Sequence, residues 1–91
     1  MKTEAEFLYT INYEEAYRKA NEIAEEIVSS HPGISYRIMT KPEDGVYVKL
    51  YGDNENLIVK IADGMSEREM ELLLAGMPVY VIYGGKAASY A

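Results

Sequence analysis

The stretch Gly45 to Asp63 reads G-VYVKLY-GDNEN-LIVKIA-D, and the fold turns on how it is read. Val46, Val48 and Leu50 alternate with Tyr47, Lys49 and Tyr51. After Gly52, Asp53, Asn54, Glu55 and Asn56, a second alternation sets Leu57, Val59 and Ile61 against Ile58, Lys60 and Ala62. Successive strand side chains point to opposite faces, so this pattern predicts a β-hairpin with one aliphatic face and one Tyr/Lys face. The aliphatic face demands a cover from elsewhere in the chain.

Working outward, Asn12 stands three residues before Glu15, the spacing of a capping box, and predicts a helix over 13–30. At about 100° per residue, Tyr13, Ala16, Tyr17, Ala20, Ile23, Ala24, Ile27 and Val28 fall in one sector. The alanines of that stripe permit close approach to a sheet. His31-Pro32-Gly33 ends the helix, since proline cannot continue it and glycine accepts positive φ. Upstream, Glu6 to Ile11 (E-F-L-Y-T-I) is aromatic and β-branched and predicts a first strand. Residues 34–40 alternate Ile34, Tyr36 and Ile38 against Ser35, Arg37 and Met39, a further strand. Ser66 and Glu69 suggest a second capping box before a short helix over 67–75, with Met70, Leu73, Leu74 and Met77 as its buried face. Gly76 and Pro78 stop it, and Val79 to Tyr83 predicts a last strand.

The expected order is strand, helix, three strands, helix, strand. Right-handed crossovers place both helices on one side of the sheet. The expected fold class is therefore α+β, a two-layer sandwich of ferredoxin-like type (β-α-β-β-β-α-β) with a mixed or antiparallel sheet. Residues 1–85 form its single domain and residues 86–91 a flexible tail. Ninety-one residues suffice for one core.

Nine Lys and Arg against fifteen Asp and Glu give a formal charge of −6, which disfavours binding through phosphate neutralisation and suits a basic partner. There is no cysteine and no apolar run near the ~20 residues of a membrane span, so a cytoplasmic protein without disulfides is expected. Tyr is abundant, with nine copies against one Phe and no Trp, a bias typical of interfaces and of half-buried strand positions alike.

Catalytic apparatus is not legible. The one histidine, His31, stands at a helix end, where its ring serves the last carbonyls. Asp53-Asn54-Glu55-Asn56 lacks the spacing of a calcium loop and reads as a polar turn. No cofactor, metal or catalytic residue is assigned.

Two surfaces remain. By alternation, one sheet face collects Arg37, Met39, Tyr47, Lys49, Tyr51, Ile58 and Lys60, joined by Leu8, Tyr80 and Ile82. In arrangement it resembles the sheets on which RNA-recognition modules stack bases, although their aromatic signature is absent. Its apolar members make it a candidate for cover by a partner or a second copy. The other surface is the acidic stripe Glu14, Glu15, Glu22, Glu25 and Glu26 on the first helix, read as a solvated face or as a phosphate mimic.

The leading expectation is a non-catalytic protein-binding module that docks on a larger, basic, nucleic-acid-handling protein. In size, acidity and lack of catalytic groups the chain resembles small phage-borne inhibitors of host defence, anti-CRISPR proteins among them. That is a likeness of type, carried by no motif. A nucleic-acid-binding domain using the Tyr/Lys face is the alternative. A third is a small-molecule-binding regulatory domain dimerising through its sheet, with Gly84-Gly85 and Asp63-Gly64 as ligand loops.

Overall fold

A computed structural model of the chain describes residues 11–86. Helix α1 spans Tyr13–Ser30, strands β1 and β2 span Ser35–Lys41 and Gly45–Tyr51, helices α2 and α3 span Glu55–Asp63 and Ser66–Leu74, and strand β3 spans Val79–Gly85. The sheet runs β1-β2-β3, so β2 is central. It pairs antiparallel with β1, Ile38 opposite Val48, and parallel with β3, Val48 beside Val81.

The bounds of α1 and most of its stripe are as expected, but Tyr17 is 47% exposed, and the Glu15 carboxylate bonds Arg18 instead of closing a capping box on Asn12, whose N–H donates to the Gly76 carbonyl. The Asn12 side chain accepts the Glu15 backbone N–H, and Ala16, Ala20, Ile23, Ala24 and Ile27 are buried. They meet Val46, Val48 and Leu50 of β2 and Val79 and Val81 of β3 in one continuous core. Tyr36, Ile38 and Tyr83 pack at its margins. His31 Nδ1 lies 3.0 Å from the Ile27 carbonyl oxygen, the helix-end role read from sequence. The turn between β1 and β2 is pinned to α1, because the Tyr13 hydroxyl accepts the backbone N–H of Glu43, whose φ is +71°. At the same end of the sheet, Gly45 meets the residue that precedes β3. A Cβ there would lie 2.6 Å from the Pro78 oxygen, so only glycine allows the approach that lets Val46 N–H reach that same oxygen at 2.9 Å.

The second half of the expected hairpin is not a strand. Asn54 caps α2 by accepting the Leu57 N–H, so the supposed polar turn is a helix start. A six-residue apolar run fits either period. Leu57, Val59 and Ile61 are spaced for a strand, but Ile58, Ile61, Ala62 and Met65 are spaced i, i+3, i+4, i+7, and this second set packs on the core. Ile58 is fully buried while Val59 is 41% exposed, the reverse of the hairpin reading. The described order is thus α-β-β-α-α-β, and the ferredoxin-like order is not matched. What holds is an α+β architecture with helices packed on one face of a mixed sheet. The expected first strand, Glu6 to Ile11, lies outside the described residues apart from Ile11, which precedes α1 outside any strand. Of the expected tail, only Lys86 is described.

In α3 the capping box is absent: the Ser66 hydroxyl donates to the Asp63 carbonyl, and no side chain caps the helix. Its facing is also turned. Leu72 packs on the core, whereas Met70, Leu73 and Leu74 are exposed. Two polar contacts set this orientation. Arg68 donates to both carboxylate oxygens of Glu26 on α1, at 3.2 and 2.8 Å. The Glu69 carboxylate accepts the Val81 N–H at 3.0 Å along the edge of β3.

The helical reading of residues 55–63 has a direct check by denaturant unfolding. Ile58→Ala should cost about 2–5 kcal/mol, as for a large core truncation, whereas Val59→Ala should change stability by less than about 1 kcal/mol. A strand with Val59 in the core would give the opposite ranking.

Candidate functional site

The β2 residues that alternate with its core positions point away from α1, and the strand registers bring their neighbours alongside. Met39, Tyr47 and Tyr80 form one row across the sheet, and Arg37, Lys49 and Ile82 the next. None of these belongs to the core cluster, and among the described residues the helices pack on the opposite face. The Tyr47 and Tyr80 ring centroids are 5.1 Å apart with planes inclined by 35°, a tilted pair. Lys41 Nζ lies 4.9 Å from the Tyr47 centroid, within cation–π range. Burial, reinforced by the neighbouring Tyr47, Asp44 and Glu69, pushes the Tyr80 hydroxyl above the usual phenol range. The result is a half-buried aromatic and aliphatic floor edged by Arg37, Lys41 and Lys49.

Of the residues expected on this face, Arg37, Met39, Tyr47 and Lys49 are brought together, as are Tyr80 and Ile82. Tyr51 joins only at its end and is buried, at 8% exposure, because its ring lies over Gly84. A Cβ on Gly84 would stand 2.6 Å from Tyr51 Cε1, so that glycine serves ring packing. Ile58 and Lys60 do not belong to the face: α2 buries the first in the core and carries the second on its exposed side. A helix replaced the strand that would have aligned them. Lys41, one residue beyond the strand expected over 34–40, is a basic residue that sequence reading did not place on this face. The signal was present, since the Arg37, Met39 alternation continues to it at the end of β1.

The acidic stripe is in large part engaged within the chain. Glu15 bonds Arg18, and Glu26 holds Arg68. Glu25 accepts the Tyr36 hydroxyl at 2.8 Å, which raises the tyrosine pKa above its usual range, with burial adding to the effect. Glu22 stands 4.0 Å from Lys19, and Glu14 is exposed. A stripe whose carboxylates already serve Arg18, Arg68 and Tyr36 is a poor imitation of a row of phosphates. Gly64, assigned to a possible ligand loop, ends α2: its N–H donates to the Lys60 carbonyl, and the next N–H, of Met65, donates to that of Ala62.

Among the described residues, no group of three or more His, Cys, Asp or Glu side chains could hold a metal ion, and no helix is long and apolar enough to cross a membrane. No family model, curated protein or solved structure matches the chain.

The Glu26–Arg68 pair carries a pH signature. Bonding to Arg68 lowers the Glu26 pKa below its ordinary value of 4.5. A carboxylate depressed in the folded state contributes stability above its unfolded pKa and loses it as pH falls through the folded one. Glu26→Gln should therefore lower the urea midpoint modestly at pH 7, and the two proteins should converge as pH falls through the lowered folded-state pKa of Glu26. High salt should narrow the neutral-pH gap, since the pair is exposed.

Proposed function

We propose that the chain is a non-catalytic, cytoplasmic protein-binding module, a small regulator or inhibitor that docks through the open face of its sheet. One observation carries this reading. Met39, Tyr47, Tyr80 and Ile82 form an apolar and aromatic floor that no described helix covers, while the opposite face of the same strands is packed against α1. Tyrosines with cations beside them are a composition found in protein interfaces, where aromatic anchors supply most of the energy and charge sets orientation. The charges on this face are basic, so the complementary partner surface is apolar with acidic residues around it. The basic partner expected from net charge alone does not suit this face. Affinity capture with the wild-type chain should recover a protein partner that Tyr47→Ala/Ile82→Asp fails to retain, with circular dichroism confirming that the variant folds. Recovery of the same proteins by the variant would overturn the reading.

A second reading is single-stranded nucleic acid on the same face. It is favoured by the Tyr47–Tyr80 ring pair with Lys41 over one ring and Lys49 in the next row, since stacked rings and nearby cations are the parts that such binding uses. The charge of −6 acts against it. A salt-dependent shift of a fluorescent oligouridine, abolished in Tyr47→Ala/Tyr80→Ala, would establish it. No binding at about 20 mM salt, where electrostatic association is strongest, would dismiss it.

A further inference from the structure

The second exposed surface is on α3, none of whose residues is fully buried. Met70, Leu73 and Leu74 recur at i, i+3 and i+4, so they form one stripe, and they are 55%, 45% and 81% exposed. Glu67 and Glu71 are also exposed and lie along one flank of that stripe. The helix has a single basic residue, Arg68, which is bonded to Glu26. Its outward half is thus apolar and acidic. Three large apolar side chains held in water on a nine-residue helix are out of proportion to its role as a crossover.

The chain itself carries the complementary surface. The sheet face has an apolar and aromatic floor of Met39, Tyr47, Tyr80 and Ile82, with Lys41 and Lys49 as cations beside it. We propose that in the free protein the α3 stripe of one copy docks on the sheet face of a second copy. The proposal rests on the reading of that face as a protein-docking surface and names its occupant in the absence of any other partner. Leu73 and Leu74 meet the tyrosine floor, and Glu67 and Glu71 meet the lysines. Both patches adjoin β3. Glu69 ties α3 to Val81 on that strand, and its charge reaches the Tyr80 hydroxyl. The helices pack on the sheet face opposite the floor, so the two patches face different ways, and the contact joins unlike surfaces of successive copies head to tail.

Sedimentation of the full chain from about 1 µM to about 1 mM tests this, a range that brackets a weak dimer. The expected result is a reversible association that begins with a dimer and grows with concentration. Leu74→Glu, at a site too exposed to disturb folding, should raise the dissociation constant at least about tenfold, with an unchanged circular dichroism spectrum. Glu71→Lys and Lys49→Glu should each weaken the dimer, and the two together in one chain should recover it, because the swap restores opposite charges across the interface. A monomer at every concentration, an association indifferent to Leu74→Glu, or a double swap no better than either single variant would overturn the proposal. A chain that stays monomeric yet captures a partner through Tyr47 loses only this inference. One that neither dimerises nor captures a partner loses the sheet-face reading as well.

Discussion

The rest of the molecule depends on the parallel pairing of β2 with β3. Two parallel neighbours cannot be joined by a tight turn, so the chain must leave the end of β2, cross the sheet and return to its beginning. Residues 52–78 make that journey, and α2 and α3 are what the crossover becomes when it also has a core to cover. Central β2 then has a partner on each side and α1 on one face, which buries Val46, Val48 and Leu50 completely. Ile58 enters the same core from the crossover. Had residues 57–62 paired with β2 as a hairpin, they would have taken a position beside it, and Ile58 would have lost its place against Gly52 and Ile34.

Polar side chains finish the arrangement where apolar contact is thin. α3 is attached mainly through adjacent residues pointing in different directions, Arg68 to α1 and Glu69 to the backbone of β3. The second of these contacts also occupies a donor on the outer edge of the sheet, a place where an unpaired strand invites association. On α1, Glu15, Glu25 and Glu26 are likewise engaged inside the molecule. The negative charge of the chain is therefore partly structural. The described basic and aromatic side chains of the sheet face lie outside the core.

Legibility followed the number of periods that each segment could satisfy. The eighteen residues of α1 show a helical stripe over five turns, and no strand pattern competes with it. β2 alternates without interruption and was readable, as was the continuation of its open face into Arg37 and Met39 of β1. The segment LIVKIA is too short to choose between periods, and its β-branched residues lean towards a strand. For α3, Met70, Leu73 and Leu74 form a better stripe by spacing than Leu72, which packs on the core, so sequence alone could not say which half faces inward. The candidate face was legible where it lay on consecutive strands. It was misread where Ile58 and Lys60 were placed on a strand that does not form.

By itself, the sequence determined the elements whose local pattern admits one solution: the capped amphipathic α1, the alternating β1 and β2, and a chain without cysteine whose basic and aromatic residues share a strand face. Tertiary structure alone decided the pairing partners of β2, the helical state of residues 55–63 and the outward turn of Met70, Leu73 and Leu74. The physical reason is that each of these choices is set by which surfaces remain to be buried once α1 and the sheet have met. Local propensity differs between the alternatives by a few tenths of a kcal/mol per residue, whereas burying one large side chain is worth about 1.5–3 kcal/mol.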